Sequence, residues 1–312
     1  MSSKRGLWKN IEPGDIIDIV APASSSSARD FHNAIRFVHK LGLVPRAPRD
    51  IFGKDILCAN TDSMRFKHLK KALYAKDSKV IWALRGGYGS LRLLPNLSKL
   101  KAPQNSKLFI GYSDTTAIHH FLNTKWNWPS LHGTMLEELG RGEGGRREIK
   151  DLLHALYGLS AEISYQNLKP MNSAARKPTT IRAKIAGGNL AILAATLGTP
   201  WAFSAKGKIL IIEDIGERGY RVDRMLVQLQ QAGAFKGVRA VIFGDFVGGE
   251  ENREEDCIYL WQDVQKRFAL EAKFPVFKGL PFGHGAFQRP VPFNTGAELK
   301  MGRKGSLRAK IK

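Results

Sequence analysis

Three residues with the chemistry of a serine hydrolase site occur along the chain in the order Ser113, Glu213 and His284. A serine hydroxyl becomes a good nucleophile when a histidine within hydrogen-bond reach takes its proton and a carboxylate holds that imidazole in one tautomer. This requirement fixes the geometry of the three groups but not their order in the sequence. The residue types therefore allow acyl-transfer chemistry, provided that the surrounding elements bring them together.

Ser113 lies between a short apolar run, residues 108–111, and a helical pattern, which predicts a strand-to-helix corner. Such a corner exposes the hydroxyl and directs the following backbone N–H groups outward. The stretch alone is better explained by Ser113 or Asp114 capping a helix that begins at Thr115. It also lacks the second glycine of the hydrolase elbow pattern.

A glycine-rich stretch, residues 85–90, follows a predicted strand. Glycines there let backbone N–H groups approach an anion, so Gly86 or Gly87 could supply one oxyanion donor and the N–H of Asp114 the other. The guanidinium of Arg85 is a candidate clamp for a substrate carboxylate. An ordinary tight turn explains the glycines equally well. Neither the dinucleotide nor the phosphate-loop pattern is matched, so we predict no cofactor.

Glu213 and Asp214 end an apolar stretch that is predicted to be a buried strand. Because side chains alternate across a strand, the two carboxylates should point to opposite sides. On the sequence alone, an ion pair with Arg221 or Arg224 is the favoured role for Glu213. Glu217 competes with Glu213 as the acid of a catalytic site.

His284 lies between two glycines in a predicted loop, which suits an accessible general base, although a loop histidine is commonly just solvated. The other histidines do not form a metal-binding pattern. His119 and His120 are adjacent on a predicted helix and point in different directions, and His132 has no second ligand at a helical offset. We therefore predict no metal site.

Alternating strands and helices in the first half predict a parallel sheet with helices on both faces. Ligands bind beyond the carboxyl ends of the strands in such a sheet. Three segments are expected on that rim, namely Ser24–Ser27, Arg85–Ser90 and Ser113.

The polar, proline-containing segment 169–180 is predicted to be a linker. The second half contains a predicted strand at 208–214, a helix at 220–232 and a strand at 240–243. We predict two domains, residues 1–165 with the nucleophile and residues 166–312 with the acid and base, and hence a site between them.

The 312 residues include 49 Lys and Arg against 28 Asp and Glu, a formal charge of +21. Such a chain could bind nucleic acid electrostatically, but no nucleic-acid-binding module is recognisable, so a solvated basic surface is favoured. No apolar run is long enough for a membrane span or a signal-peptide core. Two distant cysteines suggest a reducing compartment, and we predict a cytoplasmic protein.

The chain resembles the LD-carboxypeptidases, serine peptidases that include the murein tetrapeptide carboxypeptidases and the microcin-immunity peptidases. The resemblance is carried by the joint order of short motifs, which are Pro13-Gly-Asp, Ile19-Val-Ala-Pro-Ala, Arg85-Gly-Gly-Tyr-Gly, Gly111-Tyr-Ser-Asp, His132-Gly-Thr-Met, Gly187-Gly-Asn-Leu, Ile212-Glu-Asp, Tyr220-Arg-Val-Asp-Arg, Gly244-Asp-Phe and Leu280-Pro-Phe-Gly-His-Gly.

This resemblance implies that Ser113 is the nucleophile, His284 the base and Glu213 the acid. It implies a flavodoxin-like first domain and a smaller β-rich second domain of the swivelling β/α type. It further implies a homodimer and a metal-free hydrolase that removes terminal D-alanine from the L-centre of murein tetrapeptides.

Two other functions remain open. A microcin-immunity type peptidase would cleave an acyl-nucleotide amide, and the segment 140–180 is expected to influence that choice. A basic nucleic-acid or ligand-binding protein would bind DNA in a salt-dependent manner and hydrolyse nothing.

Overall fold

The structure, a computed structural model, describes residues 8–253 and 256–311. The chain divides into two compact units. The first unit runs to Ala161 and also takes in Arg289–Phe293 and the terminus from Ile311, and the second consists of Glu162–Gln288 and Asn294–Lys310.

The described strands are β1 Ile16–Val20, β2 Val44–Arg46, β3 Ser78–Ala83, β4 Leu108–Gly111, β5 Ser130–His132, β6 Glu162–Pro170, β7 Thr180–Asn189, β8 Lys208–Ile215, β9 Ala240–Val247, β10 Glu251–Arg253, β11 Asp256–Ile258, β12 Val276–Lys278, β13 Val291–Phe293, β14 Gly296–Lys300 and β15 Gly305–Lys310. The described α-helices are α1 Ala28–Lys40, α2 Asp62–Tyr74, α3 Leu94–Leu97, α4 Thr116–Lys125, α5 Leu136–Gly140, α6 Arg146–Tyr157, α7 Ser173–Arg176, α8 Leu190–Ala195, α9 Gly219–Gln231 and α10 Trp261–Glu271. Two 3₁₀ turns, Ser90–Leu93 and Ser113–Thr115, precede α3 and α4.

The first unit contains a sheet with the strand order β13-β5-β4-β3-β1-β2. Strands β1 to β5 pair in parallel, and β13 adds to β5 in the antiparallel direction. Read from β2, the order 2-1-3-4-5 is that of the flavodoxin-like folds, which confirms the predicted fold class. The order reverses between β1 and β3, and ligands of such folds bind beyond the carboxyl ends of the strands at this point.

The local signals in the first unit produced the elements that they predicted. Ile17 in β1, Trp82 in β3 and Phe109 in β4 are all fully buried, as expected for strands covered on both faces. The sequence Thr61-Asp62 predicts a cap for the second helix, and the structure confirms it. The hydroxyl of Thr61 accepts a hydrogen bond from the backbone N–H of Met64, so α2 begins at the next residue after its cap.

The second unit contains a closed barrel with the strand order β12-β6-β15-β14-β7-β8-β9. Neighbours from β7 through β8 and β9 to β12 are parallel, and the remaining pairs are antiparallel. The predicted strands in β8 and β9 are therefore confirmed. Apolar residues of these strands form one core with α8, α9 and α10, as shown by Leu210, Leu193, Leu226 and Phe268. The carboxyl ends of the parallel strands meet at one edge of the barrel.

The predicted linker at residues 169–180 is wrong. Strand β6 extends to Pro170, α7 follows, and β7 begins at Thr180. This polar segment has no apolar periodicity, and hydrogen bonds hold it in place. The side-chain amide of Asn172 donates to the carbonyl oxygens of Ala269 at 3.0 Å and Phe274 at 2.9 Å, and its oxygen accepts the N–H of Ala175.

The unit boundary also differs from the predicted division at residues 165 and 166. The second unit starts at Glu162 because β6 pairs with β15 from that residue onward. The first unit is discontinuous, because it includes Arg289–Phe293, and β13 within this segment pairs with β5. No helix in the described ranges is long and apolar enough to cross a membrane.

Candidate active site

Ser113 lies at a sharp corner after β4. Its φ of +60° is in the left-handed region, which costs an L-residue about 1 kcal/mol or more. The corner is tight: a Cβ on Gly111 would lie 2.7 Å from Oγ1 of Thr115. The predicted strand-to-helix corner is therefore present, with the backbone strain that is typical of a nucleophile elbow.

The capping alternative for this corner is wrong. The residues at the cap positions of the 3₁₀ turn and of α4 are Tyr112 and Thr115, not Ser113 or Asp114, and neither side chain makes a capping hydrogen bond. The carboxylate of Asp114 instead accepts the backbone N–H groups of Gly89 at 3.3 Å and Ser90 at 2.8 Å, in the loop after β3. The side chain of Asp114, the residue after the predicted nucleophile, therefore binds the neighbouring glycine loop.

The predicted rim of three segments is confirmed within the first unit. A Cβ on Gly86 would lie 3.2 Å from Oγ of Ser113, so this glycine lets the loop after β3 pack directly against the serine. Ser24, in the loop after β1, donates its N–H to the carbonyl oxygen of Gly86, and its hydroxyl accepts the N–H of Tyr88. Gly87, at φ +102°, packs against the Ser24 side chain.

Arg85 lies on the same rim with a partly exposed guanidinium. Its Nη1 donates to the carbonyl oxygen of Ser25 at 3.1 Å and lies 3.6 Å from the carboxylate of Glu137. Glu137 is itself paired with Arg141 at 2.6 Å. A guanidinium has five N–H donors, so these contacts leave Arg85 able to bind a further carboxylate.

Glu213 and His284 form a direct pair in the second unit. Glu213 is fully buried, and its Oε2 lies 2.6 Å from Nδ1 of His284. In the neutral ring, Nδ1 carries the proton and donates a hydrogen bond to the carboxylate, which leaves Nε2 as the basic nitrogen. This is the arrangement that the carboxylate and imidazole of a serine hydrolase require.

The competing roles for Glu213 are not observed. Arg221 pairs with Glu217, with 3.3 Å from its Nη2 to Oε1, and Arg224 lies over the ring of Tyr220. The predicted ion pair of Glu213 with either arginine is therefore wrong, and Glu217 is already engaged.

Asp214 points elsewhere, as strand alternation predicts. Its carboxylate accepts from the side-chain amide of Asn189 at 2.8 Å and from the N–H of Ala191 at 2.9 Å. Of these two carboxylates near the end of β8, Glu213 is the one that pairs with His284.

The glycines beside His284 make room for two carboxylates. A Cβ on Gly283, at φ +113°, would lie 2.6 Å from Oε2 of Glu213, and a Cβ on Gly285 would collide with the carboxylate of Asp245. The Gly-His-Gly sequence thus lets the loop approach both groups closely.

Two family models match the chain. One describes the LD-carboxypeptidase N-terminal domain and matches residues 17–133, and the other describes the C-terminal domain of the same family and matches residues 182–299. The chain is also 35% identical over 283 residues to a putative carboxypeptidase of Rickettsia conorii, which covers 91% of this chain and 87% of that protein. The chain belongs to the LD-carboxypeptidase family of peptidases.

Other relatives are similar over most of the length of this chain. The murein tetrapeptide carboxypeptidase of Pseudomonas aeruginosa is 27% identical and covers 92% of this chain and 94% of its own. The crystal structure of muramoyltetrapeptide carboxypeptidase from Oxalobacter formigenes superposes with a TM-score of 0.81 at 29% identity, covering 95% of this chain and 98% of that one. The microcin C7 self-immunity protein of Escherichia coli is 23% identical and covers 72% of each chain.

Asp245 lies close to Glu213 and His284 and was not among the predicted site residues. It lies at the carboxyl end of β9, and its N–H donates to the carbonyl oxygen of Phe282 at 2.8 Å. Burial, together with the charge of Glu213, raises the pKa of Asp245 to about 6. The position of Asp245 near the end of the strand next to β8 could have predicted its place in the site. The carboxyl ends of parallel strands lie at the same edge of the sheet, and Glu213 is at that edge.

His119 lies outside the site formed by Glu213, Asp245 and His284 and has structural partners. His119 joins β4 to β5. Its Nε2 lies 2.8 Å from the carbonyl oxygen of Gly111, and its Nδ1 lies 2.8 Å from Oγ of Ser130. Burial lowers the pKa of His119 to about 4, so it is neutral at physiological pH. No group of three or more potential metal ligands occurs in the described part of the chain.

The Asp245→Asn variant is expected to be more stable than the wild type at pH 7, by roughly 1 kcal/mol once partial solvent screening is allowed for. Folding raises the pKa of Asp245 from 3.8 to about 6, so the native state binds more protons than the unfolded state between these values. Wild-type stability should therefore fall, relative to the variant, as the pH rises through this window. Thermal unfolding from pH 4 to pH 7.5 measures the difference.

Asp263→Asn is the matched control, because this carboxylate is largely exposed on α10 and pairs with Lys266. Its substitution removes an exposed surface carboxylate and should leave the wild-type stability nearly unchanged. Parallel pH profiles for the wild type and Asp245→Asn would contradict the buried charge at this position.

Proposed function

We propose that this chain is a serine-type LD-carboxypeptidase that hydrolyses the bond between the L-centre of the third residue and the terminal D-alanine of murein tetrapeptides. The observation that carries the proposal is the buried Glu213 paired with His284 at 2.6 Å. Ser113 in its strained corner beside Gly86 supports it. The printed names of the Pseudomonas and Oxalobacter relatives support the choice of substrate.

In the proposed mechanism, Oγ of Ser113 attacks the carbonyl carbon of the scissile peptide while Nε2 of His284 takes the hydroxyl proton. Backbone N–H groups of Gly86 or Gly87 and of Asp114 stabilise the oxyanion. Collapse of the tetrahedral intermediate breaks the C–N bond, and His284 returns the proton to the departing amine of D-alanine. Water, deprotonated by His284, then hydrolyses the acyl-serine and releases the shortened peptide.

Arg85 is proposed to bind the terminal carboxylate of the substrate. A carboxypeptidase must recognise a free chain end, and a guanidinium can hold a carboxylate with two hydrogen bonds. The place of Arg85 next to Gly86, with its side chain partly exposed, supports this assignment.

We further propose a homodimer that acts in the cytoplasm. The dimer rests on the family resemblance alone. The buried free thiol of Cys58 fits a reducing compartment. Light scattering on the purified chain tests the dimer, and fractionation of the producing cells tests the location.

Release of D-alanine from a disaccharide tetrapeptide tests the substrate assignment. The same peptide ending in L-alanine is the control, and we expect release only from the D-form. Hydrolysis of an acyl-nucleotide amide without D-alanine release would favour the microcin-immunity function instead. Salt-dependent retention on DNA with no hydrolysis of either substrate would favour a binding protein.

A further inference from the structure

We propose that Asp114 and Arg65 are positioning residues that hold the glycine loop of residues 85–90 in the geometry needed to stabilise the oxyanion. This inference rests on the proposed function, because it concerns the loop that packs against Ser113. The two residues bind the same peptide unit of that loop, the one between Gly89 and Ser90. Asp114 accepts a hydrogen bond from its N–H, and Arg65 donates one to its carbonyl oxygen.

Asp114 binds the N–H side of this loop. Its side chain is only 3% exposed, and its two carboxylate oxygens accept the N–H groups of Gly89 and Ser90. Because Asp114 directly follows the predicted nucleophile, these bonds link the strained corner to the loop. A buried carboxylate is stable only with such donors, so the link is costly to break.

Arg65 binds the carbonyl side. This α2 arginine is 1% exposed, which is unusual for an arginine, and its Nη1 donates to the carbonyl oxygens of Gly89, at 3.0 Å, and Pro22. Its Nε donates to the carbonyl oxygen of Asn60 at 3.0 Å, and Asp62 balances its charge at 2.5 Å. One guanidinium therefore ties together the loops that follow β1 and β3.

Gly89 is shaped for this double contact. Its φ is +127°, and a Cβ would lie 2.6 Å from Sγ of Cys58 and 2.8 Å from Nη1 of Arg65. At the other end of the loop, Ser24 holds the carbonyl oxygen of Gly86 and the N–H of Tyr88. Both ends of the loop are thus fixed before any substrate binds.

The consequence is electrostatic preorganisation. Oxyanion donors accelerate a reaction because they are already oriented when charge develops, and loss of one donor costs about a hundredfold or more in turnover. Binding of the substrate in its ground state does not need the same precision. Loosening the loop should therefore lower kcat and leave KM nearly unchanged.

The Asp114→Asn variant tests the N–H side. The asparagine keeps one acceptor oxygen but brings an NH₂ group against an N–H donor of the loop. We expect kcat for D-alanine release to fall by roughly a hundredfold with KM changed less than about threefold. Affinity for a peptide boronate, which forms a tetrahedral adduct with an activated serine, should fall in parallel with kcat.

The Arg65→Lys variant tests the hydrogen bonds of Arg65 to the carbonyl oxygens. A lysine ammonium keeps the positive charge but lacks the planar guanidinium that reaches several carbonyl oxygens at once. It should reproduce the same pattern with a smaller loss, about tenfold. Asp18→Asn is the matched control. Asp18 is also a buried carboxylate of the first unit, paired with Arg46 and Lys107, and does not contact the glycine loop. It should lower thermal stability and leave kcat unchanged.

Wild-type kcat in both Asp114→Asn and Arg65→Lys, or an equal loss of kcat in Asp18→Asn, would overturn the inference. Failure of the wild type to release D-alanine would overturn the substrate assignment instead. In that case the rate of labelling of Ser113 by a fluorophosphonate, which also needs an activated serine and oxyanion donors, decides the role of the two residues. Unchanged labelling in both variants would overturn it.

Discussion

Ser113→Ala is expected to abolish D-alanine release, with turnover at least about ten-thousandfold below that of the wild type. The variant removes only Oγ, so it should fold and still bind the tetrapeptide. Release of D-alanine measured on purified protein gives the turnover, and calorimetry with the same peptide gives the binding. Undiminished release would rule out Ser113 as the nucleophile.

The backbone at this corner gives the same experiment a second readout. Alanine and serine are both strained at the φ of +60° found at this position, whereas glycine adopts this conformation at little cost in free energy. Ser113→Gly should therefore be inactive and more stable than Ser113→Ala by about 1 kcal/mol, measured by denaturant unfolding. Equal stability of the two variants would mean that the corner stores no strain.

Glu213→Gln is expected to reduce turnover by roughly ten-thousandfold, the loss seen when the acid of a serine triad becomes an amide. A glutamine has nearly the same shape as glutamate, but it can present an NH₂ group to Nδ1 of His284 and so favour the wrong tautomer. The buried position of Glu213 also prevents water from replacing the carboxylate. Steady-state D-alanine release measures the effect.

Glu217→Gln is the paired control. This carboxylate is engaged by Arg221 and should be replaceable without loss of turnover. A large loss in Glu217→Gln with normal activity in Glu213→Gln would transfer the role of the acid to Glu217.

Much of the first unit was predictable because its signals are local. Apolar runs gave β1, β3 and β4, and the hydroxyl of Thr61 marked the start of α2. The rim that joins Ser24, Gly86 and Ser113 followed from the rule that parallel strands end at one edge. Strand alternation likewise separated Glu213 from Asp214.

Other features depend on contacts between residues distant in sequence. Asp114 looks like a helix cap in the sequence, but its partners come from the loop after β3. Arg65 looks like a solvated helix residue until α2 is packed over that loop. Segment 169–180 looks like a linker because side-chain hydrogen bonds of Asn172, rather than apolar periodicity, hold it.

The late return of β13 to the first sheet affects how the protein is made. During synthesis β5 keeps an open edge until residues 291–293 have left the ribosome, well after the other strands of its sheet have been made. An open edge can pair with a strand of another chain, so the nascent protein passes through an aggregation-prone stage. A gene divided at residues 161 and 162 would produce a first half with that edge permanently exposed. The first sheet therefore cannot be completed until residues 162–288 of the second unit have been synthesised.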